Sequence, residues 1–303
     1  MSIPVSVVIP TFNKLSRLRL TLESYALQNF NGFEVVVCDD GSTDGTAEFL
    51  SSVDLPYALK VVRGAHHGAG AARNRAVTAS DGDILIFNDD DMVPAPGFID
   101  AHVAACTSAD VLGRGARWSV PIDEVNQFLN VEFNRDLYAR LWQSARLTSA
   151  EDWAIDSLAR DLKYPYRFLQ ACTSNLAVRR RSFDTVGGFN EAFGTGWGAE
   201  DTEFGYRAQE LGIGIHLAEA ALNIHLEHST DSGKKFEKGL QNFRRFLALY
   251  PDRREVRALL SYVEHAVASG NAKDLFDEQS FVDRPPPSIQ QPKAKAKDHE
   301  SIR

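Results

Sequence analysis

Two hydrophobic periods alternate through the first part of the chain. Val5-Ser6-Val7-Val8-Ile9 is a β-branched run stopped by Pro10 and reads as a strand. Leu15 to Gln28 places apolar residues at 15, 18, 20, 22, 26 and 27, close to the spacing of one helix face. Phe33 to Cys38 is a second strand. The turn Asp39-Asp40-Gly41-Ser42 follows, and Thr43 or Asp44 can cap a helix running to about Ser52. Leu59 to Val62 reads as a third strand, Gly68 to Ala79 as a helix of small residues, and Asp83 to Phe87 as a fourth strand. This β-α-β-α-β-α-β order implies parallel strands joined by right-handed crossovers, hence a doubly wound α/β sheet. Ligands of such sheets bind beyond the carboxyl ends of the strands. Thr11-Phe12-Asn13, Asp39-Asp40 and Asp89-Asp90-Asp91 all follow strand ends, so three polar clusters converge on one crevice.

The pattern is looser afterwards. Residues 121–165, with Trp142 and Trp153, read as helices with irregular links. Ala171 to Arg180 reads as a strand entering a basic turn, and Gly187 to Gly198 as a loop. Thr202 to Leu211 reads as a helix and Ile213 to Leu217 as a short strand. Lys234 to Tyr250 and Arg253 to Ser269 form two amphipathic helices separated by Pro251. From Asn271 onward the chain holds Pro285-Pro286-Pro287 and Lys-Ala repeats, with too few apolar residues to offset the entropy of ordering. Disorder is expected there.

Composition narrows the function. Net charge is −8, which argues against nucleic acid as a partner. Cys38, Cys106 and Cys172 are dispersed and odd in number. A disulfide framework or zinc site is not expected, a reducing compartment fits, and Cys38 reads as core. No charged start leads into an apolar h-region and no apolar stretch nears the ~18 residues of a membrane span, so neither a leader nor a span is expected. The expectation is a cytoplasmic chain.

The candidate chemistry starts at Asn88-Asp89-Asp90-Asp91, which closes the apolar run Ile84 to Phe87. Three adjacent carboxylates repel one another, and a divalent cation with oxygen ligands reverses that cost. Asp89 and Asp91 share a face in an extended segment. The alternative is a solvated acidic turn. His66-His67-Gly68-Ala69-Gly70 admits two readings: backbone N–H groups open to phosphate, or close helix–sheet packing. Glu200 and Asp201 open a helix, where acids are favoured by the helix dipole even without a function. His102 and His216 read as structural. The basic run Lys234 to Arg257 is either a solvated face or a peripheral contact with anionic lipid.

Four segments in order resemble family-2 glycosyltransferases of the GT-A fold. They are Val7 to Asn13, Val37 to Asp44, Gly70 to Asn74, and Phe87 to Asp91. Gly196-Trp197-Gly198-Ala199-Glu200-Asp201 is similar to the W-G-x-E-D segment of galactosyl- and N-acetylgalactosaminyl-transferase families. The resemblance implies a Rossmann-like, mostly parallel sheet flanked by helices over residues 1–230. Residues 1–115 would bind nucleotide and 116–230 the acceptor. A helical extension (231–270) and the tail (271–303) lie outside it.

The same resemblance implies a metal-dependent, inverting transfer from a nucleotide-diphosphate sugar, first a UDP-sugar, to an acceptor hydroxyl. The acceptor would be a saccharide, a lipid-linked molecule or a small molecule. Asp91 corresponds to a direct metal ligand, Asp89 to a second ligand or ribose contact, and Asp90 to a support of the loop. Asp40 matches a base contact, with Pro10, Thr11 and Phe12 flanking that base and Asp39 capping or structural. Arg73 is a cation near the donor or the acidic loop, and Arg75 is expected at the surface. Asp201 matches the general base and Glu200 a hydroxyl ligand. Trp197 offers a face to a sugar ring or is a core aromatic. His225, or alternatively His228, completes the metal site, and imidazole favours Mn²⁺ over Mg²⁺. No Q-x-x-R-W segment follows Asp201, so single-sugar transfer is expected, and a retaining course stays open. The rivals are a sugar-phosphate nucleotidyltransferase, disfavoured by Pro10-Thr11-Phe12-Asn13 where a Gly-rich basic signature is needed, and a non-catalytic sugar-nucleotide-binding protein.

Overall fold

A computed structural model describes residues 4–160, 166–228 and 232–268; the expected disorder from Asn271 lies outside these residues. The first half follows the sequence pattern: β1 (Val5–Thr11), α1 (Leu15–Tyr25), β2 (Phe33–Asp39), α2 (Thr46–Ser52), β3 (Ala58–Arg63), α3 (Ala69–Thr78) and β4 (Ile84–Asn88). β1 continues through Pro10. Its pairing with β4 ends at Val8, so the missing proline N–H interrupts no bond on that side.

The remaining elements are β5 (Met92–Pro94), α4 (Phe98–Ser108), β6 (Val111–Val120), α5 (Ile122–Val125), α6 (Arg135–Ser144), α7 (Ser149–Ala159), β7 (Asn175–Arg179), α8 (Arg180–Val186), α9 (Glu200–Glu210), β8 (Gly214–Leu226), α10 (Ser232–Leu249) and α11 (Arg254–Ala268). All eight strands form one sheet in the order β3-β2-β1-β4-β7-β6-β8-β5. β3, β2, β1 and β4 are parallel; β7 is antiparallel to β4 and β6; β5 is antiparallel to β8.

Successive residues of β1, β2 and β4 feed two cores. Val8, Val36, Leu85 and Phe87 pack with α3, α8 and α9 on one face. Val7, Ile9, Val35, Val37, Ile84 and Ile86 pack with α1, α2 and α4 on the other. Burial on both faces explains why these strands read as continuous apolar runs.

Three elements lack a local signature. β5 is three residues long. β6 is interrupted by Gly113-Arg114-Gly115 and a register shift between Arg114 and Ala116. α4 buries Phe98, Ile99, His102 and Cys106, but alanines and polar residues between them blur the helical period. β8 extends to Leu226, well past the run Ile213 to Leu217, because β6 supplies a partner along its length. Arg114, buried in β6, is held by the buried carboxylate of Glu151 on α7, which also accepts the Arg117 N–H at 2.8 Å. α10 and α11 pack through Phe243, Phe246, Val256, Leu259 and Val263 against Phe168, Phe193, Ala199 and Tyr206. The helical extension is therefore joined to α9 and the loop before it. No helix among the described residues is long and apolar enough to cross a membrane.

Candidate functional site

The three aspartates diverge as β4 gives way to β5. Asp90 turns inward. Its Oδ2 accepts from Thr11 Oγ1 at 2.7 Å, and its carbonyl accepts from Thr21 Oγ1 at 3.1 Å. Burial, reinforced by Asp91, raises its carboxyl well above the ordinary carboxylate range. The Thr11 hydroxyl is thereby committed to Asp90.

Asp91 faces the opposite way. Strand β5 pairs with β8 in the register Met92 to His225, and Leu226 N–H donates to the Asp91 carbonyl at 2.9 Å. That pairing brings His228 Nε2 to 3.3 Å and His225 Nε2 to 3.7 Å from Asp91 Oδ2, with Lys14 Nζ at 3.4 Å. Burial pushes the Asp91 carboxyl up, but His225, His228 and Lys14 outweigh it and hold the group well below its usual value. Both histidines join Asp91, where the sequence left a choice between them. Lys14 was not singled out from sequence; its signal is its place directly after the Thr11-Phe12-Asn13 turn.

Asp89 points to a third partner. Arg73, on α3 and almost fully buried, donates to Asp89 Oδ1 at 2.8 Å and to Glu200 Oε1 at 3.0 Å. The guanidinium also lies 5.6 Å from the Phe189 ring centroid. Glu200 Oε2 is buried without a hydrogen-bond partner among the described residues. Asp201 retains an opening to solvent, yet protein crowds its carboxyl. That burial, and then the charge of Glu200, raise its pKa to about 7 against the opposing pull of Arg73. Both acids lead α9, whose preceding residue, Ala199, is buried and left-handed at φ 74°.

The expected base region is rearranged. The Asp40 carboxylate accepts from Gly68 N–H at 2.7 Å, His67 N–H at 3.1 Å and Arg75 Nη1 at 3.0 Å. Arg75, expected at the surface, is instead partly covered by this ion pair. Asp39 Oδ1 accepts from Ser42 N–H at 2.9 Å, and its Oδ2 accepts no hydrogen bond among the described residues. Phe12 is partly exposed and stacks on His66 with centroids 3.8 Å apart. Pro10 is buried. Trp197 is 37% exposed, so it is not a core aromatic.

The Gly68 question resolves toward packing. A Cβ there would lie 1.9 Å from the Gly194 carbonyl oxygen, at φ 97°, and Asp40 already accepts the adjacent N–H groups. A Cβ on Gly70 would meet Phe189 and Glu200 in ordinary contact.

Ligand atoms of Asp91, His225 and His228 lie within 4.8 Å of one another, the only such grouping of three His, Cys, Asp or Glu among the described residues. One carboxylate oxygen and two imidazole nitrogens suit a first-row divalent cation, so the donor set fits. Asp89, turned onto Arg73, is not part of this grouping.

An eight-stranded mixed sheet flanked by helices, in this strand order, is a GT-A fold. The chain belongs to glycosyl transferase family 2, which residues 6–187 match; residues 154–229 match the N-terminal domain of galactosyltransferase. It is 32% identical to a validoxylamine A glucosyltransferase of Streptomyces hygroscopicus subsp. jinggangensis over 82% of this chain and 61% of that one. It is 27% identical to an Escherichia coli chondroitin synthase over 74% of this chain and 34% of that one. The chain thus spans about three-fifths or less of the length of these relatives. Among solved structures, it resembles the mannosyltransferase PcManGT of Pyrobaculum calidifontis in complex with GDP-Man and Mn²⁺. That match has a TM-score of 0.56 at 19% identity and covers 92% of this chain and 74% of the other. Residues 1–349 of S. aureus TarS in complex with UDP-GlcNAc give a TM-score of 0.55 at 17% identity, with coverages of 94% and 76%.

Proposed function

We propose that this protein moves a sugar from a nucleotide-diphosphate donor, first a UDP-sugar, to an acceptor hydroxyl with inversion. The observation that carries this is the meeting of Asp91, His225 and His228, with Asp89, two residues before Asp91, tied through Arg73 to Glu200 beside Asp201, a carboxylate with a pKa near neutrality. Asp91, His225 and His228 would hold Mn²⁺ or Mg²⁺. Such an ion, when bound, offsets negative charge on a diphosphate.

The chain's own residues do the rest. Asp201 takes the proton of the acceptor hydroxyl as that oxygen forms its bond to C1. The bond from C1 to the diphosphate oxygen breaks, and its electron pair leaves with the nucleotide. A pKa of about 7 suits a base working near neutral pH. Glu200 Oε2, buried and unpartnered, is an acceptor for a sugar or acceptor hydroxyl. Arg73 keeps Asp89 and Glu200 in fixed positions. We assign the base contact to Asp39 rather than Asp40, because the fold already engages both Asp40 oxygens. Phe12 extends an apolar wall beside it, and Trp197 offers a face to a sugar ring. Arg244, Arg245, Arg253 and Arg257 each have partners within the fold, which favours a solvated face over a lipid contact for that run.

Asp201→Asn tests the assignment: it should bind UDP with Mn²⁺ like the native protein yet lose transfer. Full transfer in that variant removes Asp201 as the base. The anomeric configuration of the product, read by NMR, tests inversion, and a retained configuration refutes it. Pyrophosphate release from a nucleoside triphosphate and a sugar phosphate would instead favour the nucleotidyltransferase rival.

A further inference from the structure

The helical extension lies beyond the family-2 match at 6–187 and beyond the galactosyltransferase match at 154–229. One of its side chains nevertheless reaches the loop that presents Glu200 and Asp201. Asn242 on α10 is 2% exposed. Its Nδ2 donates to the Gly198 carbonyl at 2.9 Å, and its Oδ1 accepts from Arg245 Nη1 at 3.1 Å. The two bonds fix which way the amide faces, since neither oxygen nor nitrogen could exchange places without losing both.

The loop that Asn242 holds is one that would not hold itself. Gly194, Gly198 and Ala199 all have positive φ, at 61°, 84° and 74°. For Ala199 this conformation costs about 1–2 kcal/mol, because its Cβ crowds the carbonyl. No side chain caps α9. Gly196 packs directly on the Asn242 amide: a Cβ there would lie 2.8 Å from Nδ2. Gly239, one turn earlier on α10, faces the Trp197 ring: a Cβ there would lie 3.5 Å from Cε3. Peptide contacts before, at and after Trp197 therefore come from α10, and the chain passes from Gly198 through strained Ala199 straight into Glu200 and Asp201.

We propose that Asn242 is a positioning residue for the transfer reaction, setting the Gly194–Ala199 loop and through it the placement of Asp201 and the Trp197 ring. The proposal rests on Asp201 acting as the base. Asn242→Asp is nearly isosteric and keeps the acceptor for Arg245, but it sets a carboxylate against the Gly198 carbonyl. Asn242→Ala removes both bonds. Displacement of a catalytic group by an ångström typically lowers rate about 100-fold. Both variants should lower kcat by that order while the KM for the nucleotide sugar stays within about threefold, since Asp39, Asp91 and the histidines lie elsewhere.

Hydrogen exchange, read by mass spectrometry, gives a second measure that needs no turnover. Exchange over residues 194–203 should accelerate in both variants, with α11 unchanged. Arg244→Gln, which breaks only the exposed Arg244–Glu264 pair of the same helix pair, should leave kcat and loop exchange unchanged. A kcat within twofold of native in both Asn242 variants overturns the proposal. So does unchanged loop exchange, or a fall in rate that only parallels a fall in Tm. If the native protein transfers no sugar while the exchange results hold, the function assigned to the site fails and the clamp itself stands.

Discussion

Arg73→Met removes the charge that three acids share while keeping most of the side-chain volume. In the native protein the guanidinium is almost fully buried and bonded to Asp89 at 2.8 Å and Glu200 at 3.0 Å. The two pairs are not equal. The Asp89 side chain is 31% exposed, so its pair counts as a screened one, contributing at most about 1 kcal/mol. The Glu200 side chain is 12% exposed, and stripping the partner from a carboxylate that deeply placed costs about 3 kcal/mol or more. The sum is about 3–4 kcal/mol. At about 2–4 °C per kcal/mol for a domain of this size, Tm should fall by roughly 6–16 °C at pH 7.5.

The pH dependence separates stranded charge from lost packing. Acid protonates the unpaired carboxylates of the variant, so the deficit should narrow between pH 7.5 and pH 5. A cavity would give the same deficit at both. Combining Arg73→Met with Glu200→Gln should recover part of the loss, and differential scanning calorimetry of the four proteins gives the coupling directly. A Tm change under 2 °C, or a deficit that does not vary with pH, refutes the view of Arg73 as the charge holding this side of the crevice together.

Three further outcomes follow from the same geometry. Asp201 has its folded pKa raised to about 7, so its contribution to stability is lost as pH climbs from about 4 through 7. Asp201→Asn should therefore raise Tm at pH 8, with the gain shrinking toward pH 5, and the native transfer rate should rise with pH through about 7. Equal Tm values for variant and native at pH 8 would contradict this. His225→Ala and His228→Ala should each weaken Mn²⁺ binding at least about tenfold by isothermal titration, with the folded state intact by circular dichroism. Unchanged affinity in either would remove that histidine from the site. Gly68→Ala forces a Cβ into the Gly194 carbonyl and a left-handed backbone, and should destabilise by about 2 kcal/mol or more in chemical denaturation, whereas Gly70→Ala should cost under about 1 kcal/mol.

Much of the fold was legible because its signal is local. Val5 to Ile9, Phe33 to Cys38 and Asp83 to Phe87 carry β-branched or apolar runs whose neighbours are helices of ordinary period, and that order implies a parallel sheet. An acidic triplet closing an apolar strand already suggested a cation. The strands β5 and β6 and the full length of β8 were not legible, because their stability comes from pairing rather than pattern. β6 pairs with a strand about a hundred residues away, and its middle is a buried Arg114 between glycines.

The same division runs through the site. Sequence alone determined which residue types stand at the strand ends and at the start of α9, since element type and side-chain alternation are short-range properties of the chain. Which of those side chains meet was decided by tertiary structure. Asp91 joins His225 and His228 through the β5–β8 register, and a slip of one residue would turn each strand's side chains to the opposite face. Arg73 finds Glu200 across 127 residues, and Asp40 is drawn onto the Gly68 N–H, leaving Asp39 with the open oxygen. Asn242 reaches Gly198 only because a helical pair packs against α9. Contacts at such separations carry no pattern in the chain, because what favours them is the burial and pairing that exist only once the sheet has assembled.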